Sequence, residues 1–96
     1  MRKSNTQAIG EVLREYIREM KMDKKLKETE IIQSWESLMG KTIASYTSNI
    51  YISRGILFIE LTSSVVKNEL IMLREDIRNR LNELAGEELI TKIVFK

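Results

Sequence analysis

Side chains that could perform acid–base or nucleophilic chemistry are few in this chain of 96 residues. It contains no His and no Cys, which excludes imidazole bases, thiol nucleophiles, disulfides and Cys/His zinc sites. The carboxylate pairs Glu75-Asp76 and Glu87-Glu88 lie on or beside a predicted helix, where sequence neighbours point in different directions. They are therefore not expected to converge for general acid–base catalysis. We predict no enzymatic activity, no metal site and no cofactor.

Charge and hydropathy restrict the partners. Sixteen Lys and Arg against fourteen Asp and Glu give a net charge of +2. This excess is too small to coat DNA by bulk electrostatics, so binding to single- or double-stranded DNA should be weak and salt-dependent. No apolar run approaches the roughly 18 residues of a membrane span, and the first residues are charged and polar. We expect a cytoplasmic protein without membrane contact.

Apolar spacing predicts two helices in the first 40 residues. Residues 6–21 carry apolar side chains three and four positions apart, which is typical of an amphipathic helix. These positions are Ile9, Val12, Leu13, Tyr16, Ile17 and Met20. A second apolar face comprises Ile31, Ile32, Trp35, Leu38 and Met39, and it ends at Gly40. Leu26 is about half a turn out of phase with this second face, so we expect a break or kink near Glu28.

An alternating pattern then predicts a β-hairpin. Apolar residues occupy every second position on either side of Arg54-Gly55, which resembles a tight turn. The positions on one face are Ile50, Ile52, Leu57, Ile59 and Leu61. Because successive strand residues point to opposite faces, these five should lie in the core.

The remaining residues predict one long helix and one strand. Residues 62–64 (Thr-Ser-Ser) can cap a helix that is expected to run without interruption over residues 65–85 and to end at Gly86. Its buried stripe is predicted to be Val66, Leu70, Leu73, Ile77, Leu81 and Leu84. Residues 90–96 form the last strand, with Ile93 and Phe95 on one face.

The fold class that follows is α+β in two layers, with the order α-α-β-β-α-β. We expect a single domain over residues 1–96, in which all the helices cover one face of a three-stranded sheet. The hairpin makes the first two strands antiparallel, and the long helix can return the last strand parallel to one of them.

One side of the long helix combines cations with an apolar residue. Projected as a helix, Lys67, Ile71, Arg74 and Arg78 share this side, and we refer to them as the basic flank. Both arginines are expected to point away from the buried stripe. The pattern has two interpretations: solvated charges that pair within the helix, or a docking face for a partner.

The sheet should also have a face without helices over it. Tyr51, Phe58 and Val94 point to that face with Lys92 beside them, and we call these four residues the open sheet face. Such a surface can stack bases, bind a partner protein or form a homodimer. A modest exposed patch is an equally good interpretation.

Residues 35–44 resemble a motif of the DciA family, the DnaC/DnaI antecedents. The segment Trp-Glu-Ser-Leu-Met-Gly-Lys-Thr-Ile-Ala is similar to the family pattern W-x-x-h-h-G-x-x-h-A, where h is apolar, and Trp35, Gly40 and Ala44 occupy its defining positions. Residues 55–65 and the pair Glu69-Leu70 resemble the hairpin and helix start of that family. Val66 stands where members often have a second Trp.

The resemblance implies a KH-like domain and a role in bacterial DNA replication. Family members bind the DnaB-type replicative helicase and assist its loading, so the expected function is a non-enzymatic adaptor. The motif residues are expected to be mainly structural. Two alternatives remain: a KH-like module that binds nucleic acid, and a small domain that dimerises.

Overall fold

The computed structural model describes the backbone of residues 2–96 and the side chains from residue 9 onward. Its elements are α1 (Arg2–Met39), α2 (Lys41–Ser45), β1 (Thr47–Ser53), β2 (Ile56–Leu61), α3 (Ser64–Met72), α4 (Arg74–Ala85) and β3 (Lys92–Phe95). The fold class α+β with a three-stranded sheet is confirmed. The order agrees roughly with the prediction: the two helices predicted before Gly40 are the single helix α1, whereas α2 and the division between α3 and α4 are additional.

The sheet has the strand order β1-β2-β3. Strands β1 and β2 are antiparallel, whereas β2 and β3 are parallel, as the sequence predicted. The hairpin turns at Arg54 and Gly55, whose φ angles of 52° and 78° are those of a two-residue turn. The carbonyl of Gly55 also accepts a hydrogen bond from the backbone N–H of Thr91, which ties the turn to the segment before β3.

The core lies between one face of this sheet and the helices. The inward strand residues predicted above pack with side chains from α1, α3 and α4. The buried core residues are Ile31, Trp35, Leu57, Ile59, Leu70, Ile77, Leu81, Leu89, Ile90, Ile93 and Phe95. Ser63 caps α3 by accepting a hydrogen bond from the backbone N–H of Val66, so the cap was also predicted correctly.

Helix α1 is continuous, and the predicted break near Glu28 is wrong. Residues 22–28 contain no Gly or Pro, and most of them are good helix formers, so the backbone has no local reason to stop. Leu26, which suggested the break, is exposed instead of turning into the core. Lys27 holds the helix at this level through ion pairs with Asp23 and Glu87.

The predicted helix over residues 65–85 is interrupted at Leu73, where the backbone has φ −99° and ψ 7°. A straight helix of that length would be about 30 Å long and would overshoot the short strands beneath it. The break lets α3 pack on β2 and β3 while α4 packs on α1. Leu73 and Leu84 are exposed as a result, so their assignment to the buried stripe is wrong.

The helices do not all lie on one face of the sheet, contrary to expectation. Residues 9–26 of α1, which we call the α1 arm, are exposed almost throughout and extend beyond the strands. The molecule is accordingly elongated, with extents of 66 × 21 × 19 Å. Only the second part of α1 covers the core.

Asn82 connects α4 to the segment before β3. Its side-chain Nδ2 donates to the carbonyl oxygen of Ile90 at 2.9 Å, and its Oδ1 accepts from the backbone N–H of Ile90 at 2.8 Å. Both backbone groups of a fully buried residue are therefore satisfied by one side chain.

Candidate partner-binding surfaces

Trp35 is a core residue, in agreement with its predicted position on the apolar face of the helix. Its side chain is 3% exposed. The indole Nε1 donates a hydrogen bond of 3.0 Å to Thr47 Oγ1, and Thr47 in turn donates to the carbonyl of Ile43. The motif Trp therefore joins α1 to the start of β1 and to α2.

The motif glycine allows the chain to turn between α1 and α2. Gly40 has φ 88°, in the region that side-chain-bearing residues rarely adopt. Its N–H donates to the carbonyl of Glu36 and its carbonyl accepts from Ala44, so it belongs to both helix ends. Ala44 is half-buried on α2.

The basic flank is less basic in the structure than in the sequence. Arg78 Nη2 lies 2.9 Å from Glu75 Oε2, and its Nη1 lies 3.3 Å from Glu88 Oε1. The hydrogen bond to Glu75 and the nearby charge of Glu88 raise the pKa of Arg78. Much of the positive potential expected from this residue is therefore compensated by two carboxylates.

Arg74 does not point away from the core as predicted. Its guanidinium lies 5.8 Å from the centre of the Phe95 ring, a cation–π contact, and its Nε is buried without a hydrogen-bond partner among the described residues. Around a helix Arg74 lies only about 40° from Leu70 and about 60° from Ile77, which are both buried, so its side chain reaches the edge of the core. Lys67 is half-buried and Ile71 is 38% exposed on the neighbouring α3.

The open sheet face is formed as the alternation predicts. Tyr51 and Phe58 pair across β1 and β2, and Phe58 pairs with Val94 across β2 and β3, so the three form one row. The rings of Tyr51 and Phe58 stack with centroids 4.9 Å apart and an interplanar angle of 14°. Lys92 lies one row away, opposite Ile56.

Lys96 completes this face, although the sequence pattern did not single it out. Its Nζ donates to Tyr51 Oη at 3.0 Å and lies 5.0 Å from the centre of the Phe58 ring. The bond to Tyr51 raises the pKa of Lys96. Period-2 spacing from Lys92 and Val94 could have placed Lys96 on this face, but not its contact with an aromatic ring on β1.

Apart from Lys96, the surfaces described above lie within a segment that matches a protein family. A family model described as Dna[CI] antecedent, DciA, covers residues 8–95. The chain belongs to the DciA family. The resemblance found in residues 35–44 and 55–70 is thus confirmed over nearly the whole length, and the α1 arm lies inside the DciA match. No curated protein and no solved structure matches the chain.

The helices of residues 2–96 include none that is long and apolar enough to cross a membrane. Within the DciA match, the motif positions Trp35 and Gly40 build the junction between α1, α2 and β1. The basic flank and the open sheet face lie on separate elements, α3–α4 and the sheet. The two candidate surfaces therefore lie on different parts of the fold.

Proposed function

We propose that this protein is a non-enzymatic adaptor that binds a DnaB-type replicative helicase and assists its loading on DNA. The observation that carries the proposal is the match of the DciA family model to residues 8–95, because membership in this family supports a role in helicase loading. The lack of His and Cys agrees with a protein that acts by binding.

The basic flank is our candidate for the helicase contact. An apolar residue surrounded by cations combines desolvation at the centre of an interface with electrostatic steering. Ile71 supplies the apolar surface. Lys67 supplies the most direct charge, because Arg78 is paired with two carboxylates and Arg74 lies on Phe95.

The basic flank is tested with substitutions that should leave the fold intact. A Lys67→Glu/Ile71→Ser double variant changes side chains outside the core, and we expect it to weaken binding to a purified DnaB-type helicase at least tenfold in biolayer interferometry. Arg80→Glu is the matched control, since it makes the same charge change on the opposite side of α4, where Arg80 is exposed. Equal binding by parent and double variant would exclude the basic flank as the interface.

The helicase proposal itself is tested by the parent protein. Stable binding to the helicase ring and faster assembly of helicase on single-stranded DNA are expected. If the folded parent neither binds the helicase nor changes its loading rate, the proposed function is wrong. ATP hydrolysis that a point substitution in this chain abolishes would contradict the absence of enzymatic activity.

A second candidate function, binding of single-stranded nucleic acid, is favoured by the open sheet face. Stacked aromatic rings next to Lys92 and Lys96 are a surface on which bases can stack. Lys96 already covers Phe58, so a base must displace it, and we expect weak binding that falls steeply with salt. Fluorescence anisotropy with oligo(dT), comparing parent and Phe58→Ala, measures this. Submicromolar binding that persists at high salt would contradict it.

A further inference from the structure

The α1 arm carries four cations along one side. They are Arg14, Arg18, Lys21 and Lys25, which follow one another at intervals of four, three and four residues, and we call them the cation row. These intervals place them within about 60° of each other around the helix and spread them over about 16 Å of its length. All four are exposed, and none forms an ion pair with a carboxylate of residues 9–96.

The charges of the arm are segregated, which an isolated helix does not favour. Each member of the cation row repels the next, because like charges three or four residues apart destabilise a helix. The acids Glu11, Glu15 and Glu19 form a row of their own, centred about 90° away around the helix, instead of alternating with the cations. This segregation indicates an anionic partner that contacts the cation row.

The cation row also points away from the apolar side of the arm. That side consists of Ile9, Val12, Leu13, Tyr16, Ile17 and Met20. Its centre lies about 140° from that of the cation row. An anionic membrane that took up the apolar side chains would therefore leave the cation row in water, and so would a helix packed on them. The cation row needs an anionic partner of its own.

A cleft at the base of the arm adds two further cations. Lys24 of α1 and Arg54 of the hairpin turn both line this cleft, and neither forms an ion pair within residues 9–96. The three carboxylates that line it are already paired with Lys27 or Arg78. The uncompensated charge in the cleft is therefore positive.

Arg54 has a backbone conformation that suits other residues better. Its φ angle is 52°, at a turn position where Asn, Asp or Gly is favoured because they tolerate positive φ. An Arg at this position strains the turn, and strained residues cluster at functional sites. Its side chain, which is exposed at the cleft, is the part that a ligand would use.

We propose that the cation row, Lys24 and Arg54 bind the phosphate backbone of a single-stranded nucleic acid. Successive members of the cation row are about 4.5–6 Å apart along the helix axis, a spacing that lets each side chain meet one phosphate of an extended strand. Proteins that bind single strands without sequence preference use a positively charged track of this kind. The strand would follow the arm and enter the cleft beside Arg54.

A single strand fits this track better than a duplex. The cation row is straight, because α1 is one helix, whereas the phosphates of a duplex strand follow a helical path and would meet only part of it. The second strand of a duplex would also bring phosphates towards Glu11 and Glu15. The site requires neither the helicase nor the open sheet face, so it can fail while either proposed function holds.

Fluorescence anisotropy with labelled (dT)12 and with an abasic strand of equal length is the first measurement. Six phosphate contacts predict a slope of about −4 for log K against log salt, which is a loss of about 300-fold in affinity between 50 and 200 mM salt. The abasic strand should show the same slope, because the contacts are to phosphate. Binding of (dT)12 without binding of the abasic strand would overturn the proposal, and so would tighter binding of a 12-base-pair duplex.

The cation row is tested with Arg18→Gln/Lys21→Gln, since Gln keeps the helix propensity of both positions. Two lost contacts should change the slope to about −3, so that the same rise in salt costs only about 50-fold. Lys41→Gln/Arg80→Gln is the matched control, because it makes the same change in net charge at exposed positions of α2 and α4. An equal change of slope in both variants would show that net charge alone determines binding, and would overturn the proposal.

The cleft is tested with Arg54→Asn. Asn favours positive φ, so chemical denaturation should find the variant at least as stable as the parent. The slope should nevertheless become less steep by about 0.7, the contribution of one phosphate contact on a single strand. An unchanged slope in this variant would contradict the assignment of Arg54 to the site.

Discussion

The two parts of α1 have the same apolar spacing but different surroundings. In residues 27–39 the apolar face is covered by the sheet and α4, and Ile31 and Trp35 are 1% and 3% exposed. In the α1 arm the corresponding face is open, and Leu13 and Tyr16 are 56% and 60% exposed. Apolar periodicity therefore identifies which side of a helix becomes buried, but not whether the same chain buries it.

The comparison predicts that a substitution in residues 27–39 of α1 has the largest effect on the stability of the fold. Trp35→Ala removes a buried indole and its hydrogen bond to Thr47. Because a cavity is left, the free energy of unfolding measured in urea should fall by about 3–5 kcal/mol. Trp35→Phe is the control and should lose less, since most of the ring volume remains. A Trp35→Ala variant that unfolds like the parent yet no longer binds helicase would show that Trp35 contacts the partner instead.

Asn82→Ala should have the next largest effect on stability, because Asn82 holds the segment after α4 that contains the buried residue Ile90. The substitution removes the side-chain partners of the N–H and carbonyl of Ile90, and the loss of two hydrogen bonds at about 0.5–1.5 kcal/mol each gives about 1–3 kcal/mol in total. Asn79→Ala, at an exposed position on the same helix, should change the free energy of unfolding little. Equal stabilities of the two variants would mean that the segment is held by other contacts.

Leu13→Ala should have almost no effect on a dilute sample. Because Leu13 lies on the open part of α1, the expected change in the free energy of unfolding is within about 0.5 kcal/mol. Chemical denaturation at low protein concentration measures it. A loss comparable with that of Trp35→Ala would show that the arm packs against its own domain and that the two parts of α1 are alike.

The smallest effect concerns pH at the boundary between the two parts. The hydrogen bond to Glu87, together with the charge of Asp23, raises the pKa of Lys27 above its ordinary value of 10.5. Lys27 therefore contributes stability below pH 10.5 and loses it as the pH rises through the raised pKa. Lys27→Met should show a slightly shallower decline in stability above pH 10.5 than the parent. An unchanged decline would mean that this ion pair does not fasten α1 at residue 27.

Local sequence patterns predicted much of the fold. Residues 50–61 form a hairpin with the expected turn and register, and Ser63 caps α3 through contacts within three residues. The break at Leu73 was not predictable, because it depends on how α3 and α4 fit a short sheet and α1. The continuity of α1 was missed for a different reason: the break was inferred from the phase of Leu26, although residues 22–28 contain no Gly or Pro and are mostly good helix formers.

For the candidate surfaces, too, local patterns predicted which residues share a face but not their contacts with distant segments. Alternation placed Tyr51 and Phe58 on the open sheet face, where the structure has them stacked. The helical projection grouped Arg74 and Arg78. It could not show that Arg74 contacts Phe95 or that Arg78 pairs with Glu88. These partners come from β3 and the segment before it, which a projection of one helix does not include.

The contact between Asn82 and Ile90 also bears on how fast the chain folds. Strands β2 and β3 are parallel and are separated by residues 62–91, and closing such a connection is ordinarily the slow step because much chain entropy is lost before any contact forms. Asn82 engages Ile90 across only eight residues. Once α3 and α4 have packed on the hairpin and α1, closing this short loop suffices to place β3 beside Gly55. The pairing of β3 with β2 then depends on closing a short loop at the end of α4 instead of the whole connection.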